Sequence, residues 1–140
     1  MNVIVDTSVW SLALRRNYGY PQDKAFLVQS LQNLIADGRV ILMGAVRQEI
    51  LSGVRHKEQF SRLRDYLHRF PDLEISTKDY ELAAEFFNTC RRNGIQGSNT
   101  DFLICAVAHN RGYSIFTMDK DFGNFQPYIP IVFHESGGKY

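Results

Sequence analysis

The chain has 140 residues, the length of one domain at roughly 100 to 200 residues each, so a second catalytic domain is not expected. Its 44% hydrophobic and 22% charged residues are those of an ordinary globular protein and exclude disordered, collagen-like and coiled-coil chains. Sixteen Lys and Arg against fifteen Asp and Glu leave a net charge of +1, so any nucleic-acid binding must come from local patches.

Apolar runs alternate with helix-period segments, the pattern of an α/β fold with a mainly parallel central sheet flanked by helices. Val3-Ile4-Val5 reads as a short buried strand that stops at Asp6, after which Thr7 or Ser8 can cap a helix carrying Val9, Trp10, Leu12 and Ala13. Trp10, on the apolar side of that helix, is expected in the core or a dimer interface. Asn17 to Pro21 reads as a loop that matches no motif. A helix then runs from about Asp23, with Phe26, Leu27, Leu31, Leu34 and Ile35 inward, to Gly38. Val40 to Met43 is the second strand. A short helix with Val46, Ile50 and Leu51 on one side ends near Gly53, and an amphipathic segment with Phe60, Leu63, Leu67 and Phe70 closes at Pro71.

Leu73-Glu74-Ile75 is read as a brief third strand, and Ser76 or Thr77 caps a helix through Ala83, Phe87 and Cys90 to Gly94. Ser98 opens a further helix, apolar on most sides and therefore central, that ends at Gly112. Ser114 to Thr117 is the fourth strand, followed at once by Asp119, and Ile129 to Phe133 is the last. These elements form one domain over residues 1–134, with 135–140 as a frayed tail. No apolar run approaches the roughly 18 residues of a membrane span, and the start lacks the layout of a signal peptide, so a cytoplasmic protein is expected. Cys90 and Cys105 fall among apolar helix residues and are read as small buried hydrophobes.

Parallel strands share one direction, so residues just past their C-terminal ends gather along one edge, where open α/β folds place ligands. Asp6 leaves the first strand, Asp119 leaves the fourth, Glu49 lies on the helix after the second, and Asp101 lies in the first turn of the helix feeding the fourth. Each acid alone has a bland explanation: Asp6 as a cap, Ser98 to Asp101 as a capping box, Asp119 and Asp121 in a turn, Glu49 on a solvated face. Together they would be strongly repulsive unless protonated or matched by a cation. Oxygen-only ligands favour a hard ion, Mg²⁺ or Mn²⁺. Metal ions held by carboxylates serve phosphodiester hydrolysis, while the missing Walker loop and dinucleotide glycine fingerprint disfavour nucleotide hydrolysis and redox chemistry.

Four segments, Val3-Ile4-Val5-Asp6-Thr7-Ser8-Val9-Trp10, Gln48-Glu49-Ile50-Leu51-Ser52-Gly53, Gly94-Ile95 with Ser98 to Ala106, and Thr117 to Phe122, occur in the order found in PIN-domain ribonucleases. The chain resembles that family over essentially its whole length, and in particular the VapC-like toxins of toxin-antitoxin pairs. The resemblance implies a Rossmann-like sheet, Mg²⁺-dependent RNA endonuclease activity with transfer RNA among the substrate classes, dimerisation, and inhibition by a cognate VapB-like antitoxin. Carried onto this sequence, the family's acidic quartet becomes Asp6, Glu49, Asp101 and Asp119, with Asp6, Asp101 and Asp119 as metal ligands. Ser8 and Thr117 match positions that support the site by hydrogen bonding. Asp121 matches a frequent acidic position whose role is to bind a second ion, orient a water, or hold the turn anchored by Phe122.

Arg15, Arg16, Arg47, Arg55-His56-Lys57 and Arg91-Arg92 are either solvated helix-end cations or phosphate contacts flanking the acidic edge, with Tyr18 or Tyr20 to stack an unpaired base. Two other readings remain at this stage: a metal-dependent phosphatase with Asp6 as nucleophile, against which Ser8 stands where a second Asp is expected, and a non-catalytic binding module.

Overall fold

The apolar, β-branched run at the start of the chain forms the central strand β1 (Val3–Val5), whose three residues are wholly buried. A computed structural model describes residues 1–14 and 21–136. Helix α1 (Thr7–Leu14) follows β1, and a 3₁₀ turn at Gln22–Lys24 leads into α2 (Ala25–Ala36) and back to β2 (Val40–Ile41). Next come α3 (Gly44–Leu51), α4 (Lys57–Leu67), α5 (Thr77–Arg92), α6 (Asn99–Arg111), β3 (Ser114–Phe116) and α7 (Asp121–Phe125). The sheet order is β2-β1-β3, all parallel, with Val3 opposite Val40 and Ser114, and Val5 opposite Phe116.

This order decides where a site can form. The chain leaves β1 towards β2 on one side and reaches β3 on the other, so a crevice opens beyond the C-terminal ends of β1 and β3. Asp6 and Thr117 are the residues that emerge there. Helix α6 covers the sheet with Phe102 and Ile104 to Ala108 all buried, as expected of a helix apolar on most sides. It ends at Gly112, whose φ of 69° lies in the left-handed region that an L side chain resists.

Two sequence expectations are corrected. Leu73–Ile75 does not form a strand; pairing on that side is a single parallel bridge between Leu42 and Asp72. Ile129–Phe133 likewise contributes one bridge, Phe133 to Ile115. Past Leu42 and Met43 the neighbouring chain enters α3 at Gly44, so Leu73–Ile75 has no extended strand to pair with, and Pro130 removes a backbone donor within the last segment. The turn expected at Asp119 and Asp121 is present and runs directly into a short helix not expected from the sequence, Asp121–Phe125, because burying Phe122 and Phe125 three residues apart fixes a helical repeat despite Gly123.

Packing also assigns several residues that the sequence left open. Trp10 is core, edge-on to Phe70 at 5.2 Å between ring centroids. Arg47 is a structural cation: Nε donates to Asp72 at 2.8 Å, Nη1 to the Leu67 carbonyl at 3.0 Å, and Nη2 to the Phe70 carbonyl, so it ties α3 to the end of α4. Cys90 and Cys105 are free and buried, and desolvation pushes both thiols up, away from nucleophilic character. Arg15, Arg16, Tyr18, Tyr20 and most of the Asn17–Pro21 loop lie outside the described residues, as does the tail from Gly137. No helix among the described residues is long and apolar enough to cross a membrane.

Candidate active site

Asp6 sits where β1 gives way to α1, fixed by its own backbone, whose N–H donates to the Phe116 carbonyl at 2.9 Å. The residue is 5% exposed. Burying a carboxylate this deeply is costly unless hydrogen bonds replace water, and three reach Oδ2: from Ser8 Oγ at 2.8 Å, Thr117 Oγ1 at 2.8 Å and the Ser8 amide at 3.4 Å. Ser8 Oγ in turn accepts from the Met118 amide at 3.0 Å, and Thr117 Oγ1 accepts from the Asp119 amide at 2.9 Å. Two hydroxyls thus lock the ends of β1 and β3 together around one carboxylate oxygen, leaving Oδ1 without a hydrogen-bond donor among the described residues.

Asp119 is the third residue after β3, and its Oδ1 accepts from the Asp121 amide at 2.9 Å, a turn that aims both carboxylates at one place. The third acid arrives from α6. Ser98 caps that helix, with the Asp101 amide donating to Ser98 Oγ at 3.0 Å and the Ser98 amide donating to Asp101 Oδ2 at 3.2 Å. The capping box expected as a bland alternative is therefore present, and the same bonds orient Asp101 towards the crevice. Asp101, Asp119 and Asp121 each offer an oxygen within 4.8 Å of the others.

Desolvation raises the Asp101 carboxyl above its ordinary value; the Ser98 bonds oppose this, and the charges of Asp6 and Asp119 add to it. Asp6 is thus electrostatically part of the group although it lies outside the three-acid cluster. None of the four is ion-paired among the described residues: the ion pairs there are Arg47–Asp72, Arg64–Asp65 and Arg111–Asp79.

Glu49 stands apart. It is exposed on α3 and accepts from Thr7 Oγ1 at 2.8 Å, a contact 42 residues long in sequence. Thr7 is the functional candidate that sequence reasoning treated only as a cap; its place directly after Asp6 was the available signal. Asp121 likewise gains weight, since it joins the cluster rather than merely shaping the turn.

A three-carboxylate site with oxygen donors and no ion-pair partner among the described residues matches the coordination preferences of a hard divalent cation better than those of zinc or copper. Gly97 shows how tightly the α6 entry is held: a Cβ there would lie 2.5 Å from Phe125 Cζ and 3.0 Å from Phe102 Cε2.

The sequence matches the PIN domain family over residues 3–126. No curated protein matches it significantly. Among solved structures it is similar to FitAcB from Neisseria gonorrhoeae, with 19% identity, a TM-score of 0.74 and coverage of 98% of this chain and 99% of that one. It is also similar to VapBC2 from Rickettsia felis bound to a DNA fragment from their promoter, at 20% identity and TM-score 0.73, covering 96% and 98% of the two chains. VapBC-1 from nontypeable Haemophilus influenzae aligns at 14% identity and TM-score 0.73, over 99% and 100%. At such identities the likeness is one of fold.

Proposed function

The chain belongs to the PIN domain family, and on that premise we propose that it is a metal-dependent endoribonuclease, the toxin of a toxin-antitoxin pair. The observation that carries this reading is the unpaired cluster of Asp101, Asp119 and Asp121 beside Asp6, at the sheet edge where ligands bind. Mg²⁺ or Mn²⁺ bound there would polarise a phosphodiester, acidify water, and offset the charge developing on the departing oxygen.

The chain's own residues divide the work. Asp6, Asp101 and Asp119 would hold the ion, and Asp121 closes the third corner of the cluster. Ser8 and Thr117 donate to Asp6 Oδ2, so Oδ1 is the oxygen whose lone pairs are left for a cation. Thr7 holds Glu49, the carboxylate outside the cluster, which orients the attacking water. The scissile phosphate then sits over the crevice between the ends of β1 and β3. Transfer RNA is the substrate class proposed, and a VapB-like antitoxin and a second copy of the chain are the partners proposed. The likeness of fold to VapBC and FitAcB structures supports the antitoxin.

Purified protein given Mg²⁺ or Mn²⁺ should cleave RNA internally, and Asp6→Asn and Asp101→Asn, prepared identically, should lose cleavage while melting cooperatively. Full activity in either variant would remove this mechanism, and trapping of phosphate on Asp6 would favour phosphatase chemistry instead.

A further inference from the structure

Apart from Asp6, the one acid buried among the described residues is Asp79, in the first turn of α5. Its Oδ1 accepts from Asn110 Nδ2 at 2.9 Å and Arg111 Nη1 at 3.1 Å. Its Oδ2 accepts from Arg111 Nη2 at 3.1 Å and the Ser76 amide at 2.9 Å, and Arg111 Nη2 also donates to the Glu74 carbonyl at 2.7 Å. Asn110 and Arg111 end α6, the helix that begins with Asp101 in its first turn. The two ends are about 15 Å apart along the helix axis, so this cluster stands well clear of the acidic crevice.

We propose that Asp79, Asn110 and Arg111 form a register lock for the metal site: they fix where α6 stands along α5, and so position Asp101 against Asp119 and Asp121. The inference rests on the nuclease reading and adds positioning residues to it. The two helices otherwise meet through rings, with Phe87 against Phe102 at 5.6 Å between centroids and Phe86 against the His109 ring at 6.1 Å. Such packing holds helices together without selecting one register, because apolar contact is non-directional and loses uniqueness before stability. The problem is acute for α6, which is apolar on most sides. A two-pronged contact between Arg111 and a buried carboxylate admits a single geometry. Among the described residues, every hydrogen bond from an α6 side chain to another part of the fold goes to Asp79 or to the Glu74 carbonyl. The Ser98 capping box cannot substitute, since it is local to the helix entry and travels with it. A slip of one residue would shift α6 by about 1.5 Å and turn it by about 100°, whereas Mg²⁺ tolerates little departure from oxygen distances of about 2.0 to 2.1 Å. The same register reaches α7, because Phe102 packs on Phe125 at 4.7 Å and α7 starts at Asp121.

Asp79→Asn/Arg111→Met separates position from stability. It removes both charges at once, so neither is stranded in the core, and it keeps an amide oxygen for the Ser76 amide. The experiment titrates Mn²⁺ into the protein without RNA by calorimetry and measures kcat and KM on an oligoribonucleotide that the parent cleaves. The double variant should melt cooperatively yet bind Mn²⁺ roughly ten- to hundredfold more weakly, the range found when groups that orient metal ligands are lost. At saturating Mn²⁺ its kcat should fall by about tenfold or more, with KM for RNA unchanged. Arg111→Lys, which keeps the charge, should retain much of the Mn²⁺ affinity that Arg111→Met loses. A folded double variant that binds Mn²⁺ as tightly as the parent would overturn the lock and leave the nuclease reading standing. If the double variant does not fold, the two single variants decide, and Mn²⁺ affinities in both equal to the parent's would overturn the lock in the same way. A parent that binds Mn²⁺ and cleaves no RNA would overturn the nuclease reading alone, the lock being judged by Mn²⁺ affinity. A parent that binds no Mn²⁺ would overturn both.

Discussion

Asp101→Asn should make the protein more stable without divalent ions and less stable with them. The amide oxygen can still accept from the Ser98 backbone, so the cap of α6 survives and the change is one of charge. In the parent, Asp101 lies within 4.8 Å of Asp119 and Asp121 and feels Asp6 as well. At that distance each like-charge pair is worth about 1 kcal/mol in water and more where water is partly excluded. Loss of the favourable carboxylate at a helix N-terminus takes back about 0.3 to 1 kcal/mol. The balance is a gain of about 1 kcal/mol, or about 3 to 4 °C in Tm for a domain of this size. With the ion at a hundred times its Kd, the parent should gain about 2.7 kcal/mol by mass action, and the variant much less. Thermal melts of both proteins in EDTA and in millimolar Mn²⁺ should therefore cross in rank order. Equal responses to Mn²⁺, or a variant that is already the less stable one in EDTA, would refute the idea that these carboxylates share unmatched charge.

Other changes test the scaffold that positions the acids. Thr117→Val removes the hydroxyl that joins Asp6 to the Asp119 amide and should cost about 1 to 3 kcal/mol in urea unfolding, with a marked fall in cleavage. Gly97→Ala forces a methyl into Phe125 and should lower stability by about 1 to 3 kcal/mol while disturbing the α6 entry, measurable as loss of Tm together with weaker Mn²⁺ response. Asp79, 1% exposed, is bound by Arg111 at 3.1 Å and by Asn110 at 2.9 Å. Burial pushes its carboxyl up, but the Arg111, Asn110 and Ser76 bonds outweigh that and hold it well below the usual range. Since the folded value is depressed, its contribution is complete above the ordinary value of 3.8 and is lost as pH falls below it. Asp79→Asn should thus cost about 2 to 3 kcal/mol at neutral pH, and its acid-unfolding curve should converge with the parent's in strongly acidic solution.

The depth of inference from sequence differs among these residues. The strand-acid-helix run from Val3 to Trp10, the capped entry of α6 at Ser98 and the acid after β3 are local patterns, legible because caps, turns and apolar periodicity act over a few residues. The alternation of apolar and helical segments was equally enough for a parallel α/β fold. The Leu73–Ile75 and Ile129–Phe133 segments misled, because short apolar segments suggest strands, whereas the partner of the first turns into α3 and Pro130 interrupts the second, leaving single bridges. The short α7 was hidden for the opposite reason: its local propensity is poor, and burial of two phenyl rings makes it helical.

By itself the sequence determined the parallel α/β architecture and pointed to the sheet edge where Asp6 and Asp119 emerge and α6 begins, since strand direction and helix entry follow from chain order. It could not decide which carboxylates meet. That was settled by the order β2-β1-β3, which brings Thr117 against Asp6, and by the turn that sets Asp121, rather than Asp6, within 4.8 Å of Asp101 and Asp119. Nor could it assign Thr7 to Glu49, or Arg111 to Asp79, because hydrogen bonds and ion pairs between residues dozens of positions apart exist only once the helices have packed. Local backbone chemistry is written along the chain, whereas the distance between two charges is a property of the folded core.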